Sequence, residues 1–450
     1  MSPFGFTPDN GDEENPKPDD FAAMMRQMQE QIQKQFQQLG INPAGFINPF
    51  ANFAPGGKGQ QEALPIATVR DTAKKFVQAQ GSQPLGIKDV TVVNNALEIA
   101  ELWLNEATVF PATAIGAAHT SLSRLDWVDE TLPGWQATME PLATGLASAI
   151  SGLLDQAVAG QGENLGVEGG ADALAGSMGA IAGLLRSFIG SMIATQLGQA
   201  IGAISSNATG AHDVALPLLD PARPILIPEN IEKWSADLEI PKTEVYLFHA
   251  LREAAIARLF AHNPWIVSYM RSAIVDYGRG IRIDMEAIQR QAEEAMQNFD
   301  PSQINPESGE NSFNIALNNG IFTPEETPEQ RAALSKLETA LALVDGWADE
   351  VTTLAAGDRL PTISQLREMY RRQRATNAPA QQLFKSLLGL EVSPKLTREA
   401  SAFWQKVRES KDVASRDALW SGILPSADEL LDPVAFLSST QVPDDLSGLL

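Results

Sequence analysis

The chain has no cysteine among its 450 residues. That excludes disulfides, thiolate metal sites and a cysteine nucleophile, and it fits a reducing, cytoplasmic setting. Histidine is nearly as scarce. With four in all, and no G-x-S-x-G elbow, a serine triad has few candidate bases. Basic residues are outnumbered: 33 Lys and Arg stand against 56 Asp and Glu, for a formal charge of −23. A chain this acidic is repelled by a phosphate backbone unless it gathers a basic face. The one dense basic run, Arg371, Arg372 and Arg374, reads as a helix face paired with acidic neighbours. Nucleic acid is therefore not an expected partner. No glycine-rich phosphate loop follows a strand pattern. The N-terminus lacks both a basic and an apolar region, so no secretory signal is expected.

Long hydrophobic runs are missing too. The nearest approach is Met178–Ile204, where Gly190, Ala194, Gly198 and Gly202 recur at every fourth position. Small residues at that spacing let two helices approach closely, in a membrane or in a protein core. Arg186, Gln196 and Gln199 interrupt the segment, and a central arginine costs about 2.5–3.5 kcal/mol on insertion. The expectation is a tightly packed core helix, with no integral membrane association.

What is present is an apolar content of 44%, that of a globular protein, patterned mainly as helix. Residues 1–62 read as an acidic disordered tail, a Gln/Met helix and a linker. On that helix Phe21, Met25, Met28, Ile32, Phe36 and Leu39 share one stripe, fit to dock on the chain's own body, on a second copy or on another protein. Residues 63–160 read as an N-terminal helical domain, with helices near Ile66–Ala79, Val90–Ala107 and Trp127–Leu154. Pro111, Pro133 and Pro141 are expected at turns or in first turns. Gly160–Gly170 separates this block from residues 170–437, which hold the small-residue helix, a helical core and C-terminal helices; residues 438–450 read as a tail. Pro224–Pro228 is the best extended segment, bounded by prolines. Helices are expected at Lys242–Ala261, Ile266–Tyr277, Asp284–Asn298 and Glu325–Ala356, with a polar loop or lid at Asp300–Thr323.

The chemistry-bearing candidate is the helix around His249. In an H-E-x-x-H helix, two histidines four apart bind zinc from one face, and the glutamate beside the first is the general base. Here that frame falls on Arg252, Glu253, Ala254, Ala255 and Ile256. The glutamate is present and neither histidine is. His249, four residues before Glu253, lies on the same stripe, and His262 precedes Asn263-Pro264 where the helix should stop. His119 and His212 have no partner at ligand spacing.

The frame's placement rests on a resemblance. Ala96-Leu-Glu-Ile-Ala-Glu-Leu-Trp103, Asp126-Trp-Val, Arg258-Leu-Phe-Ala-His-Asn-Pro-Trp265, Val344-Asp-Gly-Trp347 and Ala356-Gly-Asp-Arg-Leu-Pro361 resemble an actinobacterial family of zincin-like hydrolases, also described as zinc-dependent metalloproteases, of unassigned substrate. The resemblance implies a mainly α fold with a zincin-like metallohydrolase-type core, an N-terminal helical domain and little β structure. It also implies zinc at family level. In the branch this chain looks most like, the first frame histidine is commonly arginine and the last is kept. Ile256 departs from that pattern. The third ligand falls on Asp345.

Carried over, the resemblance makes Glu253 the catalytic candidate and Arg252 and Ile256 pocket residues. Asp345, His249 and His262 are the remaining candidate metal ligands. Because isoleucine cannot ligate and arginine carries a fixed positive charge, zinc binding and hydrolysis are expected to be weak or lost. The competing expectation is a non-catalytic binding or scaffold protein, with Arg252 holding a peptide carboxylate in the former cleft.

Overall fold

The computed structural model describes residues 64–113, 120–162, 190–280, 327–377, 396–422 and 424–439. All of them belong to one compact unit. The expected N-terminal tail, Gln/Met helix and linker, the Asp284–Asn298 helix, the Asp300–Thr323 loop, His119 and residues 440–450 lie outside the described residues.

The fold is mainly α, as expected. Among the described residues no β-strand forms, only isolated bridges from Leu226 to Ser121 and to Gly210. The helices are α1 (Ile66–Gln80), α2 (Ile87–Ala107), α3 (Arg124–Gly162), α4 (residues 190–205), α5 (Pro228–Trp234), α6 (Lys242–His262) and α7 (Pro264–Arg279). They continue with α8 (Pro328–Ala356), α9 (Ile363–Asn377), α10 (Thr397–Ser410), α11 (Val413–Ala418) and α12 (Pro433–Ser439).

Helix α6 is the axis of the unit. Every residue from Val245 to Phe260 is buried, as a helix must be when its neighbours cover all its faces. Those neighbours are α2, α8, α5, α7 and α9. Helix α8 is the second pillar, packed against α6, α7, α2 and α10. Its start is set by local chemistry. The Thr327 hydroxyl accepts from the Gln330 amide, the Gln330 side chain accepts from the Thr327 amide, and Pro328 opens the first turn.

Two sequence expectations need correction or completion. Pro133 and Pro141 mark no turn: both lie inside the long helix α3. Each proline costs its helix a backbone hydrogen bond, but Pro133 is exposed, while Trp127 and Trp135 are fully buried and hold the helix against the core. Burial outweighs the break. The small-residue stripe, in turn, has a partner. A Cβ on Gly198 would stand 2.7 Å from the Val69 carbonyl oxygen, and one on Gly202 would stand 2.9 Å from that of Ala73, so α4 lies backbone to backbone on α1. Among the described residues no helix is long and apolar enough to cross a membrane.

Replacing Gly198 with valine should therefore push α4 off α1. The expected cost is about 1–3 kcal/mol, measured as a lower midpoint in urea unfolding, whereas an equal change at exposed Gln199 should leave the midpoint in place.

Candidate functional site

Four polar side chains project from the buried length of α6: His249, Arg252, Glu253 and Arg258. A buried charge needs partners, and each partner set comes from a different part of the chain. Arg258 is taken by α2, where its Nε lies 2.7 Å from Glu101 Oε2 and an Nη2 donates to the Glu101 carbonyl at 2.8 Å. It joins α6 to α2.

Glu253 holds the segment 206–227, a long irregular strap. Its carboxylate accepts from the backbone amides of Ala211 (3.0 Å), His212 (3.1 Å) and Ile225 (3.1 Å). His212 Nδ1 lies 2.8 Å from Oε1. Since an ionised carboxylate only accepts, Nδ1 carries a proton and donates it to Glu253. The strap closes on itself between Ala211 N and the Ile225 carbonyl (3.2 Å) and between Ile227 N and the Thr209 carbonyl (2.9 Å). Of the expected extended segment Pro224–Pro228, Leu226 forms the bridges and Ile227 is extended, while Pro228 already opens α5; the three aliphatic side chains are fully buried. Gly210 gives the strap its clearance: a Cβ there would sit 2.3 Å from Glu253 Oε2.

Arg252, on the adjacent face, is bound to Asp345 of α8 and lies 3.8 Å from Asp349. Its guanidinium also stacks 4.1 Å from the Tyr370 ring centroid. Burial works against this charge, but Tyr370, Asp345 and Asp349 outweigh it and raise its pKa further. Asp349 gathers Arg367 and Arg371, each at 2.6 Å, and the Ser401 hydroxyl at 2.7 Å. Burial alone would raise Asp349, yet Arg367, then Arg252 and Arg371, hold it well below the usual carboxylate range. Arg374 reaches Asp213 at 3.5 Å and Asp345 at 3.6 Å, and the Tyr370 hydroxyl donates to Asp213 at 2.7 Å. The basic run of α9 is therefore paired, Arg372 included, with Glu368 at 2.8 Å.

His249 is 2% exposed and packs edge-on against Trp234, ring centroids 4.8 Å apart. Burial, aided by Arg252 and opposed by Asp213, lowers its pKa to about 4. Thr209, His212, Asp213, Leu226, His249, Arg252, Glu253, Ile256 and Tyr370 line a small, partly open cavity with about 10 Å³ open to a water's centre, room for one water molecule.

The candidate residues thus divide. His249, Arg252, Glu253 and Ile256 meet around one cavity, with Asp345 beside Arg252. His262 stands apart, 13 residues and about 20 Å along α6 from His249. It is exposed, with Nε2 3.0 Å from the Pro111 carbonyl and its ring stacked on Phe110. Sequence spacing missed His212, Asp213, Asp349, Tyr370 and Arg374, because each reaches the site through tertiary folding. Among the described residues no group of three or more His, Asp or Glu is arranged to hold a metal ion.

The buried helix α6, which carries Glu253, is thus crossed by α8, which carries Asp345. Residues 66–437 match the family described as zincin-like metallopeptidase, and the chain belongs to that family. Its fold is similar to a crystal structure from Chloroflexus aurantiacus titled a putative hydrolase with a novel fold. The TM-score is 0.55 at 16% identity, over 84% of this chain and 98% of that one. No curated protein matches the sequence.

The buried imidazole gives a pH signature. The folded pKa of His249, about 4, lies below the unfolded value of about 6.5, so the unfolded state binds the proton first as pH falls. Stability is unaffected by His249 above pH 6.5 and declines between 6.5 and 4. The shift corresponds to about 3 kcal/mol. Asp213 and Asp349, both lowered, act only below about pH 4. Urea unfolding at pH 7 and pH 4.5 should show this loss in the parent, and a smaller one in His249→Phe.

Proposed function

We propose that this chain is a zincin-like family member in which zinc-dependent hydrolysis has been lost and the former catalytic frame has become a structural joint. The observation that carries this reading is the engagement of Glu253. A general base must offer a lone pair to a metal-bound water, but this carboxylate is spent on three strap amides and on His212.

Zinc does not fit the frame. A catalytic site needs three protein ligands and an open position. The first frame position holds the Arg252 guanidinium, already bound to Asp345, the residue expected as third ligand. The last holds Ile256, which has no donor atom. Arg252 supplies to Asp345 and Asp349 the positive charge a metal would bring, covalently and at every pH of interest. Removing either partner leaves a buried charge alone, at a cost of about 3–5 kcal/mol, which explains why both are held together.

The second reading, with Arg252 holding a peptide carboxylate, is less favoured: its carboxylates come from α8, and the cavity beside it admits about one water. Whatever this protein binds, whether peptide, protein or a second copy, is expected on another surface.

The test is elemental. Tag-free protein dialysed against a weak chelator should hold far less than one zinc per chain by plasma mass spectrometry, and added zinc should not produce cleavage of an unstructured protein substrate. Near-stoichiometric zinc surviving dialysis would overturn the proposal.

A further inference from the structure

The two imidazoles of the cavity share an unusual feature. His212 and His249 are 0% and 2% exposed, and Nε2 of each has no hydrogen-bond partner within the protein. An unmet buried polar atom costs about 1–3 kcal/mol. Two beside one cavity call for a shared ligand.

The chemistry restricts what that ligand is. Glu253 holds a proton of His212 on Nδ1, so in the neutral imidazole Nε2 is the acceptor. His249 is uncharged near neutrality, being deeply buried beside Arg252. In the tautomer with its proton on Nδ1, Nε2 of His249 likewise accepts, and the cavity then suits a double donor. An anion would set its own lone pairs against these nitrogens. A cation would meet the Arg252 guanidinium on the cavity wall, and Arg374 lies close behind, with its Cζ 5.0 Å from the Tyr370 ring centroid. A neutral organic molecule is too large for a space that takes one water.

We infer that the cavity binds a single structural water, which donates to Nε2 of His212 and of His249 and so bridges the strap to helix α6. The Thr209 hydroxyl on the same wall is placed to donate to the water's oxygen, which keeps the count within the two to four partners typical of a buried water. The former metal cleft thereby divides its roles: Arg252 is the fixed cation, and the water joins the two histidines. This does not depend on whether any catalysis survives, because the lone pairs need a donor in either case.

The test is a crystal structure of the full chain at about 1.2 Å, grown in the presence of a chelator, with anomalous data collected above the zinc edge. A peak within hydrogen-bond distance of both Nε2 atoms and without anomalous signal is the expected result. A cavity with no density, or a peak with anomalous signal, overturns it. In solution, the ring protons of His212 and His249 should show nuclear Overhauser effects to water of long residence. Substituting His249→Leu should abolish those at His212 while the fold, read by amide spectra, persists. Retention of the His212 effect in a folded variant would also contradict the bridge.

Discussion

The structure depends on a buried carboxylate meeting backbone amides. The strap from 206 to 227 has no regular ladder to satisfy its amide groups, and buried amides demand acceptors. Glu253 supplies them for Ala211, His212 and Ile225 at once. Around that joint the strap seats three fully buried aliphatic residues at 225–227, and Trp127 of α3 donates to the Gly210 carbonyl at 3.2 Å. One side chain on α6 thus connects the central helix to α3 through the strap.

The charges beside it follow the same logic. Arg252, Asp345, Asp349, Arg367, Arg371, Arg374 and Asp213 form a connected network across α6, α8, α9 and the strap. Buried ion pairs add little net stability compared with well-packed apolar groups, but they penalise every arrangement in which a member is left alone. In the proposed reading, this network does for the helix crossing what a bound cation would do, without an ion to lose. The Tyr370 ring, contacted by both Arg252 and Arg374, packs among the like charges while its hydroxyl answers Asp213.

Much of the fold was legible in the sequence because helices are local. The bounds of α1, α2, α6, α7 and α8 follow apolar periodicity, with prolines at or beside the first turns of α1, α6, α7 and α8, and the Gly198–Gly202 spacing signalled a close helix contact that α1 supplies. Pro133 and Pro141 misled because a proline's local cost was set against the burial of Trp127 and Trp135, which sequence does not display. The site was half legible. Arg252, Glu253 and Ile256 were found by frame, and His249 by helical spacing. His212 lies 41 residues from Glu253 and Asp349 lies 97 residues from Arg252, so no spacing rule joins them. His262 was an attractive ligand by composition, and helix length alone separates it from the cavity.

The central claim is that Glu253 holds the fold rather than a reacting water, and the most direct measurement is the unfolding free energy of Glu253→Gln. Glutamine keeps the shape but offers two N–H groups where amides and His212 already donate. The account predicts a loss of about 2 kcal/mol or more in urea unfolding at pH 7. A variant as stable as the parent, with hydrolytic activity abolished, would contradict it and return Glu253 to the role of base.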